Sequence, residues 1–380
     1  MSKLNRIKLV EFGKKSALES GGFGWLNSAG EINLKKNLEA WINFRMTYVF
    51  ALEKIGGNET ANAYLGHGLA VMRNLFNDKI NGGYFAEVST DGKINSDKKS
   101  YEFAFALLAL SAASRAGDEV AKKELDVALQ IFEMYFWDEK SGLVNESWDE
   151  EFKTCSNYHG LNANMHSVEA FLELYKFSKD SKWLSRANRI CEFAFSEANR
   201  CTTGLIPEHF DENWVLDEGY NQDDPKDPFH PFGIIIGHQF EWARLAIELS
   251  QVIEADAPDW LVSEAENIYK IAKQAGWNSD GAPGFVYTID FDGKPVVRMR
   301  MHWVVTEAIA AAWTLFKITG SANYLNDFEE WWSYAEKYFL DPDNGSWRHE
   351  LDAANCESSS VWDGRPDVYH AYQALSLINS

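Results

Sequence analysis

Three of the chain's nine histidines fall at comparable places on apolar, helix-like stretches: His166 in NANMHSVEAF, His238 in GHQFEWARL and His370 in PDVYHAYQAL. Imidazole titrates near neutral pH, so it can remove a proton from one atom and return it to another. A lone histidine on an apolar helix is more often a hydrogen-bonded core residue than a catalyst. Three in equivalent positions fit that reading poorly. Similar stretches carry Arg45, Tyr101, Asn162, Asn164, Glu241, Trp303, Glu307 and Asp367. Polar and aromatic groups brought to one level by successive helices are how a concave site is built on a repeated scaffold.

The chemistry that suits such a set is proton transfer next to a carbonyl. One imidazole moves the proton, while Arg45, Asn162 and a second imidazole donate to the developing enediolate. Arg45 has an alternative role as buried ion-pair partner of Glu241 or Glu307. Glu169 and Glu307, deeper in their helices, read as supporting groups. His166-x-x-Glu169 and His238-x-x-Glu241 put ligand-type pairs on single helical faces, but neither HExxH nor paired ExxH is present. The expectation is a site without metal. No GxSxG elbow, phosphate-binding loop or dinucleotide fingerprint occurs.

A glycine-led segment recurs six times and must position these groups. The copies start at Gly24, Gly83, Gly142, Gly204, Gly284 and Gly345, in steps of 59, 59, 62, 80 and 61 residues. A near-constant period marks a repeat architecture. Amphipathic stretches precede the segments, at 61–78, 120–138, 183–198, 260–277 and 324–340, with apolar residues at three- and four-residue spacing. More uniformly apolar stretches follow them, at 38–55, 101–116, 162–178, 237–253, 302–319 and 366–379. Outer helices alternating with buried inner ones predict an all-α fold, an (α/α)6 barrel (toroid) of six inner and six outer helices. Short β-hairpins would line one rim, with turns at Asp91-Gly92, Asp292-Gly293 and Asn344-Gly345. An open solenoid is the alternative, but no polar capping helix is evident at either end. Residues 1–380 read as a single catalytic domain. The long fourth step and the polar stretch 219–233 predict a rim insertion placed to act as a lid.

The net charge of −21 disfavours nucleic acid and anionic membranes as partners. Some of the fifteen tryptophans must be core, and a surplus of Trp and Tyr also suits a cleft that stacks against sugars or other flat apolar faces. The first residues lack the apolar core of a signal peptide, and no apolar run approaches membrane-spanning length. Cys155, Cys191, Cys201 and Cys356 show no metal-ligand spacing. These features predict a reduced, cytoplasmic protein with free thiols.

The strings RMTYVFA (45–51), ESWDEEF (146–152), NANMHSVEAF (162–171), GHQFEWARL (237–245), DGKPVVR (292–298), NGSW (344–347) and VWDGRPDVYHA (361–371) resemble the N-acylglucosamine 2-epimerase superfamily. They are most similar to its mannose isomerase and sulfoquinovose isomerase branch, from about Gly22 to the C-terminus. The resemblance implies the (α/α)6 barrel, no cofactor, and a monosaccharide substrate whose proton moves between C2 and C1 through a cis-enediolate. It also implies His238 and His370 as the acid/base pair. Arg45, Tyr101, Asn162, His166, Glu241 and Trp303 match sugar-contacting positions. Pro366, His349 and about Pro228 stand where sulfoquinovose isomerases carry Gln, Gln and Arg, so a neutral hexose fits better than a sulfonate. The expected reaction is D-mannose to D-fructose, with D-lyxose to D-xylulose as a second pair. The rivals are a 2-epimerase on the same site, an inverting glycosidase on the same scaffold, and a non-catalytic sugar- or protein-binding module.

Overall fold

The computed structural model of the chain describes residues 2–88 and 94–379, among which twelve α-helices alternate in two characters. The inner set is α2 (Ala40–Ile55), α4 (Ser100–Arg115), α6 (Leu161–Ser178), α8 (Ile236–Ile253), α10 (His302–Thr319) and α12 (Tyr369–Ile378). The outer set is α1 (Ser2–Lys14), α3 (Ala61–Val71), α5 (Glu119–Ile131), α7 (Lys182–Phe195), α9 (Trp260–Gly276) and α11 (Ala322–Tyr338). Burial separates the two sets as the patterning predicts. From Ile236 to Ile247 every residue of α8 is buried, whereas α9 buries Leu261, Ala265, Ile268, Tyr269, Ala272 and Gly276, a single stripe. The N-terminal segment supplies the sixth outer helix. α3 and α5 each run on into a π-helical turn, Met72–Phe76 and Phe132–Phe136.

The chain divides into two compact units. One comprises Gly13–Ile190 with Pro366–Tyr369, and the other Met1–Phe12, Cys191–Arg365 and His370–Ser380. In the first, α4 packs between α2 and α6; in the second, α8 packs on α9 and α10, and α10 on α11. Residue by residue, α12 gives Tyr369 to the first unit and His370 onward to the second.

Pairing along the rim runs mainly from one repeat to the next. The residues leading into an inner helix pair antiparallel with the following glycine-led segment: Leu38–Glu39 with Glu87–Val88, Lys98–Lys99 with Ser147–Trp148, Ile234–Ile235 with Thr288–Ile289, and Arg300–Met301 with Glu350–Leu351. Helix starts carry unsatisfied N–H groups. Here the first of them donates across the rim, from Ala40 to the carbonyl of Ala86, Ser100 to Glu146, Ile236 to Tyr287 and His302 to His349, at 2.9, 2.9, 3.1 and 3.0 Å. The cap residues Glu39, Lys99, Ile235 and Met301 accordingly offer no side-chain cap.

Amide side chains fasten the same joints. Asn43 accepts from the N–H of Phe23, Asn164 from Val144 and Gln239 from Ile206, and each donates back to the same residue's carbonyl. Asn164, expected among the cavity groups, is therefore a structural clamp. The first repeat also begins at Gly22 rather than Gly24. Leu18 donates to the Gly22 carbonyl as Asp78 does to Gly83 and Asn278 to Gly284. Gly22 has φ +89°, where glycine is favoured. The turns at Asp292-Gly293 and Asn344-Gly345 form, with bonds from Gly293 N–H to Asp290 and from Gly345 N–H to Asp341. The turn expected at Asp91-Gly92 lies outside the described residues.

Helix α12 starts three residues later than the pattern suggests. Asp367 is the reason: its side chain accepts from the Tyr369 N–H at 2.8 Å, capping the helix from outside it. The rim insertion 219–233 is tied down at both ends. His209 stacks on Tyr220 and bonds the Pro231 carbonyl, and Phe229 meets the Trp362 ring edge-on. Among the described residues no helix is long and apolar enough to cross a membrane.

Candidate active site

In the second unit, His238 lies in the first turn of α8, and its Nδ1 is 2.9 Å from Glu208 Oε2. Both residues are buried. A carboxylate can only accept, so Nδ1 carries the hydrogen and a neutral ring keeps its Nε2 lone pair. His370, in the first turn of α12, repeats the arrangement with Nδ1 2.9 Å from Glu307 Oε1. Glu307 Oε2 in turn accepts from Arg244 Nε at 2.9 Å, and the same guanidinium reaches Glu248 at 2.9 Å and Glu241 at 3.5 Å.

Trp303 stands between the two imidazoles. Its ring centroid is 5.2 Å from that of His238 and 5.6 Å from that of His370, and Tyr287 meets it edge-on. The indole is half-buried, so part of it stays available for contact. Gly237 makes the seat: a Cβ there would lie 2.2 Å from Trp303 Cζ3.

Glu241, Glu307 and His370 each place one ligand-type atom within 4.8 Å of the others. Arg244 already supplies positive charge to both carboxylates, and His370 Nδ1 is committed to Glu307. The two carboxylates are thus engaged in an ion-pair network, and a divalent cation would have to compete with the guanidinium.

In the first unit, Arg45 is buried with Nη1 3.1 Å from Asp367 Oδ2 and Nη2 2.8 Å from the Tyr101 hydroxyl. Its guanidinium lies over Phe105, Tyr369 and Trp41, at 4.3, 4.8 and 5.1 Å from the ring centroids. Burial opposes its charge, but Tyr101, Asp367 and Tyr369 outweigh that and hold its pKa above the ordinary value. The partner foreseen for Arg45 was Glu241 or Glu307; the structure gives Asp367, and Arg244 takes the two glutamates. His166 packs against Phe105 and Tyr101, with Nδ1 3.4 Å from Glu169, which also accepts from the Tyr369 hydroxyl. Asn162 is half-buried, and its amide oxygen has no hydrogen-bond partner among the described residues.

Within the first unit Arg45, Tyr101 and His166 lie together, and within the second His238, Glu241, Trp303 and His370 do. Sequence reasoning missed Glu208 and Arg244. A signal for Glu208 exists, because Glu146 and Glu208 both lie four residues after a repeat glycine, Gly142 and Gly204. The cysteines are free among the described residues. Burial pushes the Cys201 thiol up to about 12, which takes it out of nucleophilic range.

Comparison with known proteins agrees with this architecture. The D-mannose isomerase of Thermobifida fusca is 40% identical over 372 residues, 97% of this chain and 91% of that protein. The D-mannose isomerase of Pseudomonas cannabina pv. alisalensis is 38% identical over 374 residues, 97% and 90% of the two chains. A crystal structure of D-mannose isomerase superposes with a TM-score of 0.93 at 26% identity, covering 100% of this chain and 97% of that one. The twelve alternating helices and this likeness establish the (α/α)6 barrel as the fold class. The model of the N-acylglucosamine 2-epimerase (GlcNAc 2-epimerase) family matches residues 21–374, and the chain belongs to that family.

Proposed function

We propose that the chain is a sugar isomerase interconverting D-mannose and D-fructose, with D-lyxose and D-xylulose as a second pair. One observation carries the reading: His238 and His370 flank Trp303, each held through Nδ1 by a carboxylate, in a chain 40% identical to a protein named D-mannose isomerase.

His370 is proposed to move the carbon-bound proton. Its Nε2 lone pair takes the proton from C2, and the electrons of that C–H bond form the C1–C2 double bond of a cis-enediolate. Glu307 stabilises the imidazolium that forms, and Arg244 balances Glu307. Return of the proton to C1 leaves a CH2OH group and a ketone at C2. The hydroxyl proton must also pass from O2 to O1, a task for His238, which is proposed to open the sugar ring as well. Trp303 offers an apolar face to the sugar and Glu241 an acceptor for a hydroxyl. In the first unit, Arg45, Tyr101, Asn162 and His166 are proposed as sugar contacts. The whole chain is read as one catalytic domain, working in the cytoplasm on a neutral monosaccharide with side chains alone. His349, where a sulfonate donor would be needed, is instead stacked on His302 with centroids 3.8 Å apart.

An inverting glycosidase needs two carboxyl groups about 6.5–9.5 Å apart with water between them. Glu241 and Glu307 lie within 4.8 Å of one another and share Arg244, which does not suit that role. A 2-epimerase would use the same groups but reprotonate C2 from the opposite face. Incubation with D-mannose in D2O separates these outcomes: D-fructose is expected, its deuterium content at C1 reporting how far the imidazolium proton exchanges before it is returned, and D-glucose without D-fructose overturns the isomerase reading. His370→Ala and His238→Ala should each lower kcat by about 10²–10⁴-fold with little change in Tm. Activity retained in either variant removes the role given to that residue.

A further inference from the structure

We infer that Glu208 is the positioning residue of His238, fixing which ring nitrogen is left for the sugar; this rests on reading His238 as an acid/base group. The joint that carries Glu208 is built from both sides. Two residues before it, the Ile206 N–H donates to Gln239 Oε1 at 2.9 Å and the Ile206 carbonyl accepts from Gln239 Nε2 at 3.0 Å. Gln239 is the neighbour of His238 on α8. One residue after it, His209 bonds the Pro231 carbonyl at 2.9 Å and stacks on Tyr220, both in the rim insertion. The backbone of Glu208 is therefore held between the helix bearing His238 and the loop 219–233.

The repeats supply an internal control. Glu146 stands four residues after Gly142 as Glu208 does after Gly204, and Asn164 clamps Val144 as Gln239 clamps Ile206. The residue preceding Asn164 is Ala163, where α8 has His238. Glu146 accepts from the backbone N–H of Gly160 at 3.1 Å. The scaffold can thus use a carboxylate at this place as a backbone cap, and in the fourth repeat the equivalent carboxylate holds the His238 ring.

The energetics point the same way. Glu208 is 3% exposed, and its Oε1 has no hydrogen-bond partner among the described residues. A buried carboxylate served on one oxygen only is costly to the fold. An apolar side chain would serve packing better, so the carboxylate is there for the imidazole. Bonded at Nδ1, a neutral His238 presents Nε2 as the acceptor; without Glu208 both tautomers and other ring orientations become accessible.

The test uses the full chain labelled with 15N-histidine, with Glu208→Gln keeping the shape and Glu208→Leu removing the acceptor. With D-mannose as substrate, both variants should lose about 10–100-fold in kcat. KM should stay within about threefold, since the sugar contacts are intact. The His238 Nδ1–H resonance, assigned by its absence in His238→Ala, should move or broaden in Glu208→Gln and vanish in Glu208→Leu. A kcat within about twofold of wild type in both variants overturns the inference, as does an unchanged Nδ1–H resonance. If His238→Ala itself keeps turnover, the functional reading of His238 fails, and the resonance alone then decides for or against Glu208.

Discussion

Charge compensation separates the two imidazoles. Glu307, which holds His370, is itself balanced by Arg244, and that guanidinium also serves Glu241 and Glu248. Glu208, which holds His238, has no lysine or arginine within ion-pair reach among the described residues. Two identical side chains in one fold thereby sit in different fields, which is how a protein gives the same chemical group two tasks. Arg244 is also sensitive to mutation, because it is almost fully buried beside three carboxylates. Arg244→Met should cost about 3–5 kcal/mol in urea unfolding, the usual cost of stranding buried charge. A loss under about 1 kcal/mol would mean the glutamates find other partners. Gly237 makes a different prediction. Its substitution by Ala favours the helix but drives a Cβ to 2.2 Å from Trp303, so the indole must leave its place between the rings. Gly237→Ala should keep its Tm yet lose tenfold or more, roughly, in kcat, with a shift in tryptophan emission reporting the displaced ring.

At the level of elements, the inner helices depend on the preceding two residues and on the next repeat. Glu39, at the start of α2, lies directly opposite Glu87 in the strand pairing and near Glu102 of α4. Burial and these two carboxylates push Glu39 up to about 7, against the partial relief of Lys99 and Lys36. A carboxyl raised on folding contributes stability that is complete below its unfolded pKa, about 4.5, and is lost as pH rises through about 7. Glu39→Gln should therefore raise Tm at pH 8 and leave it nearly unchanged at pH 4.5. An equal effect at both pH values would show that the carboxyl does not titrate between them. This clustering was not legible in the sequence, since Glu39, Glu87 and Glu102 are far apart in the chain and meet only through pairing across the rim. The helices were legible because burial imposes a periodicity on each of them. The first repeat was misplaced by two residues because Gly22 and Gly24 both precede aromatic residues, and only the bond from Leu18 distinguishes them. His166, His238 and His370 stand out by their equivalent positions, and the resemblance picks His238 and His370 as the proposed acid/base pair, whereas the carboxylates that hold those two come from a rim segment and a second helix.

For the whole molecule, opposing titrations set a window of stability. Buried cations anchor rim aspartates in both units: Lys98 meets Asp78 at 2.8 Å in one, and Arg365 meets Asp341 at 2.6 Å in the other. Burial alone would raise both aspartates, but the bonds from Lys98 and Arg365, with backbone N–H donors, bring each down to about 2. Carboxylates lowered on folding add stability that is present above about 3.8 and lost as pH falls through about 2. Glu39 works in the other direction between about 4.5 and 7. The net charge of −21 at pH 7 adds self-repulsion that shrinks as pH falls toward the acidic isoelectric point. Together these place maximal stability on the acid side of neutrality, with Tm highest between about pH 5 and 6. Melting followed by circular dichroism from pH 2 to 8 in constant ionic strength measures it. A Tm still climbing from pH 6 to 8 would rule the account out. Asp78→Asn and Asp341→Asn supply the local check, because each should lower Tm at pH 6 and flatten its fall below pH 4. Since one aspartate lies in each unit, the two variants also report whether the units melt together: coincident single transitions in both mean that they do.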